Sequence, residues 1–115
     1  MQYKELEPLV IQWAKEKGIL EKATALTQIE KTQEELDEAR DALWWDSKNV
    51  LQYENSKGKL VNTKEEIKDG YGDKLVTLII GAHMIGLKLE DCLGTAYNVI
   101  SKRTGSMING QFVKN

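Results

Sequence analysis

The sequence has one cysteine, one proline and one histidine in 115 residues. A lone Cys92 excludes an intrachain disulfide and fits a reducing compartment. With Pro8 the only proline, most of the chain is free to be helical. Long apolar runs are missing too. The most apolar stretch, Leu75 to Leu87, is too short to span a bilayer and is interrupted by Thr77 and His83. The opening MQYKELEPLV carries charges where a signal peptide needs an apolar segment. The expectation is a soluble, cytoplasmic protein with no membrane partner. An excess of one charge sign is also absent. Sixteen basic against eighteen acidic residues give a net charge of −2, which argues against a general nucleic-acid binder.

What is present fits a single domain over residues 1–115. Hydrophobic residues at 41% and charged residues at 30% exclude a disordered tail. A chain of this size is expected to bury roughly two thirds of its unfolded surface around one core. The near-neutral total hides an asymmetry. Residues 1–60 hold 9 basic and 12 acidic side chains, whereas residues 61–115 hold 7 and 6. Asp91 is the last acid, and Lys102, Arg103 and Lys114 follow it unopposed.

Hydrophobic spacing predicts four helices, over residues 5–16, 25–45, 64–84 and 89–103. Gly18 ends the first. Thr24 or Thr27 caps the second, whose inward line is Ala25, Ile29, Leu36 and Leu43, with Leu26 and Ala39 at its flanks. Thr63 with Glu66 spells a capping box for the third, Gly86 lies near its end, and Gly105 closes the fourth. Residues 46–63 form a loop or an irregular hairpin pairing Val50–Tyr53 with Lys59–Val61. Asn109-Gly110 predicts a type I′ hairpin turn in the tail, because both residues tolerate positive φ. The fold class expected is all-α, a four-helix bundle with a short C-terminal hairpin or tail.

Helical projection sorts the acids. Glu35 and Glu38, one turn apart, lie on a stripe with Gln28, Lys31 and Ala42 beside the apolar line. Glu30, Glu34, Asp37 and Asp41 point further towards solvent. On the third helix Glu66, Asp69 and Asp73 share a face that continues through Val76 and Ile80. Beyond Asp73 that helix is apolar nearly all round, so it is central and its acidic stripe points inward. Uncompensated inward carboxylates are costly, and a hard cation such as Mg²⁺ between them removes the cost. The alternatives are a solvated helix face and a charged first turn that favours a helix N-terminus. Asp73 lies too far along the helix for the second of these. Gly70 and Gly72 in DGYGD point to close approach by a backbone or ligand, since each costs about 1 kcal/mol in a helix interior. His83 lies roughly 15 Å along the helix from Asp73, too far to share its cation, and reads as a core or interface residue. The tryptophans Trp13, Trp44 and Trp45 read as packing.

These residues resemble the MazG-like all-α nucleoside triphosphate pyrophosphohydrolases, in their short single-domain phage and prophage form. Gln28, Lys31, Glu34-Glu35 and Glu38 follow the family's first motif. EEIKDGYGDKLVTLIIGA is similar to the second, with Asp73 as its final Asp. WAKEKGIL and the segment from Gly86 to Lys114 are similar to the ends of the short forms. One departure stands out. The usual Glu three residues before Asp73 is Gly70, and Asp69 or, in reserve, Glu66 is left as the third ligand.

The resemblance implies Mg²⁺-dependent hydrolysis of a nucleoside triphosphate to the monophosphate and pyrophosphate, with Mn²⁺ as a substitute metal. It implies metal ligands at Glu35, Glu38, Asp69 and Asp73, and a catalytic role for Glu38 with Glu35. Substrate-binding residues would be Gln28, Lys31, Asn98, Lys102 and Arg103. It further implies a homo-oligomer, dimer or tetramer. Two other readings stay open, a non-catalytic helical interaction module and the same chemistry on an alarmone or phosphoribosyl-nucleotide.

Overall fold

A computed structural model describes all residues, Met1–Asn115. The chain is mostly helical, with five helices and two small antiparallel sheets. The order is α1 (Tyr3–Glu16), α2 (Ile19–Lys22), α3 (Ala25–Ser47), β1 (Gln52–Glu54), β2 (Leu60–Asn62), α4 (Thr63–Met84), α5 (Leu89–Ile100), β3 (Gly105–Ile108) and β4 (Gln111–Lys114). No helix is long and apolar enough to cross a membrane.

The four expected helices are present. The short α2 is an addition, set off from α1 by Gly18 at φ +77°. Both candidate threonines act at the start of α3. Thr24 is the N-cap and its hydroxyl accepts from the Thr27 N–H, while the Thr27 hydroxyl accepts from the Thr24 N–H. At α4 the expected Thr63–Glu66 box gives way to Asn62, whose side chain accepts from the Glu65 N–H. Thr63 is instead the first helical residue, 1% exposed, with no partner for its hydroxyl. The chain reaches α4 straight from β2, which fixes Asn62 at the cap. The fourth helix stops at Ile100, and Gly105 opens β3 rather than closing α5.

Residues 46–63 contain a hairpin in register Tyr53↔Val61. Asn55 organises its turn, its side-chain oxygen accepting from the Lys57 and Lys59 N–H groups. The hairpin packs back on the helices through a small cluster of Ala42, Tyr53 and Val61, with Trp45 and Ile67 against it. The tail forms the expected second hairpin, with Asn109 at φ 50° and Gly110 at φ 79°. Gly105 is required at its base, because a Cβ there would run into the Val113 carbonyl and the Phe112 ring.

Helices α3 and α4 form the body. Gln28 meets Gly81, Thr32 meets Thr77, and Ala39 meets Gly70, so the two run antiparallel in one register. Asp46 and Lys64 continue it with an ion pair at 2.8 Å. The contact line is made of small residues, which lets the backbones come close. At Gly70 an added Cβ would stand 3.2 Å from the Cβ of Ala39. The close approach expected at Gly70 is thus made by a helix. Gly72 meets nothing within 4 Å, and the structure gives no reason for it.

This contact line corrects the expected core. The residues of α3 that are buried are Thr32, Ala39 and Ala42. Ile29, Leu36 and Leu43, the expected inward line, are 56%, 43% and 41% exposed. His83, expected in a core or interface, is exposed as well. One chain buries only 13 of its 115 residues, far short of the expected ordinary core. Helix α1 packs on α4, and α5 touches α4 only around its start. There Glu7 of α1, itself 7% exposed, accepts from the Leu89 N–H and supplies the cap that Lys88 lacks. Burial, and then the neighbouring Glu7, push the Tyr3 hydroxyl pKa up to about 12.

Candidate functional site

The α3–α4 register sets the acids. It places Glu35 level with Lys74, next to Asp73, and Glu38 level with Tyr71, between Asp69 and Asp73. Glu35 is the most confined of them, with its side chain 12% exposed. Its carboxyl pKa is raised, first by burial and then by the charges of Glu38 and Asp73, with Lys31 pulling the other way. Lys31 Nζ lies 3.6 Å from Glu35 and 3.5 Å from Glu34. One half-exposed ammonium therefore faces a larger group of carboxylates.

A cavity of about 720 Å³ opens beside Glu35 and Asp73. Its floor is Val76 and Ile80, and Gln28 and Lys31 line one wall. The α1–α2 corner closes the other side, bringing Trp13, Lys17 and Lys22 to the same space. None of these three was read from the sequence as part of a site. The only available signal was Gly18, whose left-handed conformation turns the chain back over α3 and α4.

A second cavity of about 690 Å³ lies on the far side of Glu38. Asp37, Asp41 and Glu66 line it with Glu38, and the β1–β2 hairpin contributes Tyr53, Lys57 and Lys59. The Tyr53 hydroxyl pKa is raised by burial, then by Asp41, Glu66 and Glu38, so these carboxylates converge on one ring. Tyr53 also stacks on Trp45, with centroids 5.7 Å apart. Asp37 and Asp41 are exposed, as the sequence reading of a solvated face expects, and they also line the open rim of this cavity.

The expected ligands separate under this geometry. Glu35, Glu38 and Asp73 lie within electrostatic reach of each other. Glu66 is half-buried and shares a cavity with Glu38, while Asp69 is exposed and lines neither cavity. Gly70 offers no carboxylate and has room for none. The donors are oxygens of the kind Mg²⁺ takes. No group of three or more acidic, histidine or cysteine side chains is drawn close enough to hold a metal ion.

Asn98, Lys102 and Arg103 lie at and beyond the end of α5 and are exposed. They line neither cavity, so a single chain does not bring them to the acids. What the fold and site define together is a mostly helical protein with an acidic seam between two antiparallel helices, flanked by two lysine-bearing cavities. No family model, no curated protein and no solved structure matches the chain.

Proposed function

We propose that the protein is a Mg²⁺-dependent nucleoside triphosphate pyrophosphohydrolase of the MazG-like kind, built on a four-helix bundle and working as a homo-oligomer. One observation carries this reading. Glu35 is confined between Glu38 and Asp73, with its pKa raised, at the edge of a cavity that also holds Lys17, Lys22 and Lys31. Clustered carboxylates call for a cation, and neighbouring ammonium groups call for an anion. A metal–polyphosphate complex supplies both.

Glu35, Glu38 and Asp73 would hold the metal after closing in from the wider spacing they have in a single chain, with Glu66 better placed than Asp69 as a fourth donor. Bound there, Mg²⁺ or Mn²⁺ would neutralise phosphate charge and polarise the phosphate oxygens. Glu38, which lines the second cavity beside Glu35, orients water as a general base. Lys31, with Lys17 and Lys22, stabilises charge on the departing pyrophosphate. Trp13 and Val76 give the apolar surface for a base. Asn98, Lys102 and Arg103 take no part within a single chain.

The test is incubation with Mg²⁺ and a panel of ribo- and deoxynucleoside triphosphates. The expected products are the monophosphate and pyrophosphate. Orthophosphate as the sole primary product, or no turnover of any substrate, would sink the reading. Alarmones and phosphoribosyl-nucleotides belong on the same panel.

Gly70 favours a second reading, a non-catalytic helical module. The close contact with Ala39 at that position excludes the carboxylate the family usually has there. Melting with and without Mg²⁺ separates the two. A metal site must raise the melting temperature by linkage, and a module without one must not.

A further inference from the structure

From Leu89 onward the chain forms an arm, helix α5 followed by the β3–β4 hairpin. Its root is held by the Glu7 carboxylate at the Leu89 N–H. Beyond Cys92 every residue of the arm is exposed. Strands β3 and β4 pack on each other and on little else. The hairpin is held mainly by its own ladder, and such an element opens locally at little cost in free energy. At its tip stand Asn109 and Gly110, at φ 50° and φ 79°.

An asparagine followed by glycine holds a latent reaction. The next backbone nitrogen can reach the side-chain amide carbon, and a glycine puts no side chain in the way. The chain has six asparagines, and five of them are restrained. Asn49 precedes Val50 and Asn62 precedes Thr63, and both following nitrogens are committed, to the Trp45 and Leu51 carbonyls at 3.1 and 2.9 Å. The Asn62 side chain also accepts from the Glu65 N–H. The Asn55 side chain accepts from the Lys57 and Lys59 N–H groups. Asn98 is followed by Val99 inside α5, where that nitrogen serves the helix ladder. Asn115 donates to the Thr104 hydroxyl. Asn109 differs on each count. The Gly110 N–H donates to no backbone carbonyl. Side-chain hydrogen bonds beyond Asp91 join only Ser101 to Asn98 and Asn115 to Thr104, so the Asn109 amide has no partner.

We propose that Asn109 is a site of spontaneous covalent modification, deamidating through a cyclic imide formed with Gly110. The Gly110 nitrogen loses its proton to solvent and bonds to Asn109 Cγ. The Cγ–Nδ2 bond breaks, and Nδ2 takes up a proton and leaves as ammonia. Water then opens the ring at either of its two carbonyls. Opening at Cγ leaves an aspartate at position 109, which keeps the turn, since Asp-Gly suits a type I′ loop as Asn-Gly does. Opening at the backbone carbonyl leaves an isoaspartate. The main chain then runs through Cβ and Cγ with one extra atom, and the Ile108↔Gln111 register is lost. Either product puts a carboxylate into an arm that has no acid after Asp91 and carries Lys102, Arg103 and Lys114. The reaction alters the charge of the arm, and in one branch its fold, without touching the α3–α4 body. It does not depend on the pyrophosphohydrolase reading.

The experiment is timed incubation of the full chain at mildly alkaline pH, followed by trypsin digestion and mass spectrometry. Cleavage after Arg103 and Lys114 releases residues 104–114, in which Asn109 is the only asparagine. This peptide should gain the mass of an amide-to-acid exchange before any other asparagine peptide does, and should resolve into aspartate and isoaspartate forms. The same incubation in urea gives the rate in the unfolded chain. The folded rate at Asn109 should lie within about tenfold of it, because the hairpin opens cheaply. Asn109→Gly keeps a residue suited to the turn and removes the amide, so it should abolish the change while circular dichroism stays the same. An unaltered 104–114 peptide, or earlier conversion at another asparagine, overturns the site. A folded rate slower than that tenfold limit overturns the claim that the turn is free to react.

Discussion

Helices α4 and α5 are both rich in apolar residues, yet they end in opposite circumstances. Helix α4 is enclosed by α3 on one side and α1 on another, and Thr77, Ile79 and Ile80 are all buried. Helix α5 buries none of its residues. The difference begins with pattern. Helix α4 is apolar nearly all round after Asp73, which suits a central element. Helix α5 has a single apolar side, which needs only one covering surface, and its own chain supplies none. The contrast extends to chemistry. The α3–α4 seam gathers acids whose repulsion demands a counter-charge, whereas the arm carries cations with nothing opposite them.

The largest expected effect falls on the seam. Glu38→Gln removes a carboxylate that neighbours Glu35 and lines the second cavity. Hydrolysis should drop by roughly two to four orders of magnitude, while helicity and melting stay near wild type. Full activity in steady-state assays would remove Glu38 from the site. Glycine substitutions set the two regions directly against each other. Gly70→Val should destabilise the protein by about 1–3 kcal/mol, because a Cβ alone would stand 3.2 Å from the Cβ of Ala39 and the further methyls would push the two helices apart. Chemical denaturation measures this. In the arm, Gly94 meets nothing within 4 Å. Gly94→Ala should therefore stabilise α5 by up to about 1 kcal/mol, seen as slower amide exchange there. If both substitutions destabilise equally, the arm is packed as tightly as the seam and the contrast fails.

The smallest effect is a dependence on pH. The Glu35 pKa is raised above its ordinary value of 4.5 by burial, Glu38 and Asp73. The native state therefore keeps this proton to higher pH than the unfolded chain does. Stability is lost as pH climbs from about 4.5 through the raised value. Glu35→Gln should consequently raise the melting temperature at neutral pH, and the gain should fade as pH falls towards 4.5. An equal gain at all pH values would mean that something other than charge is responsible. Mg²⁺ should narrow the gap between variant and wild type if it neutralises the same carboxylates.

Much of this was legible in the residues. Thr24 as a cap, the hairpin at Asn109-Gly110 and the adjacency of Glu35 and Glu38 depend on local geometry. Each is decided within a few residues, so periodicity and turn chemistry suffice. The convergence of Glu66 with Glu38 around Tyr53 was not legible, since the β1–β2 hairpin creates that cavity from a stretch with no helical period. Trp13, Lys17 and Lys22 were hidden for a related reason. They meet Glu35 only because the chain turns back at Gly18.

The sequence by itself determined the helices, both acidic stripes and the uneven placement of charge, since each follows from side-chain type at a fixed spacing. Tertiary structure alone decided which stripe of α3 turns inward. Hydrophobicity favours Ile29, Leu36 and Leu43, but the helix pair closes instead on Thr32, Ala39 and Ala42 against Thr77 and Gly70. Small residues permit an approach that leucines would block, and the same choice exposes the leucines and confines Glu35. Apolar spacing shows that a face will be covered, but only packing shows what covers it.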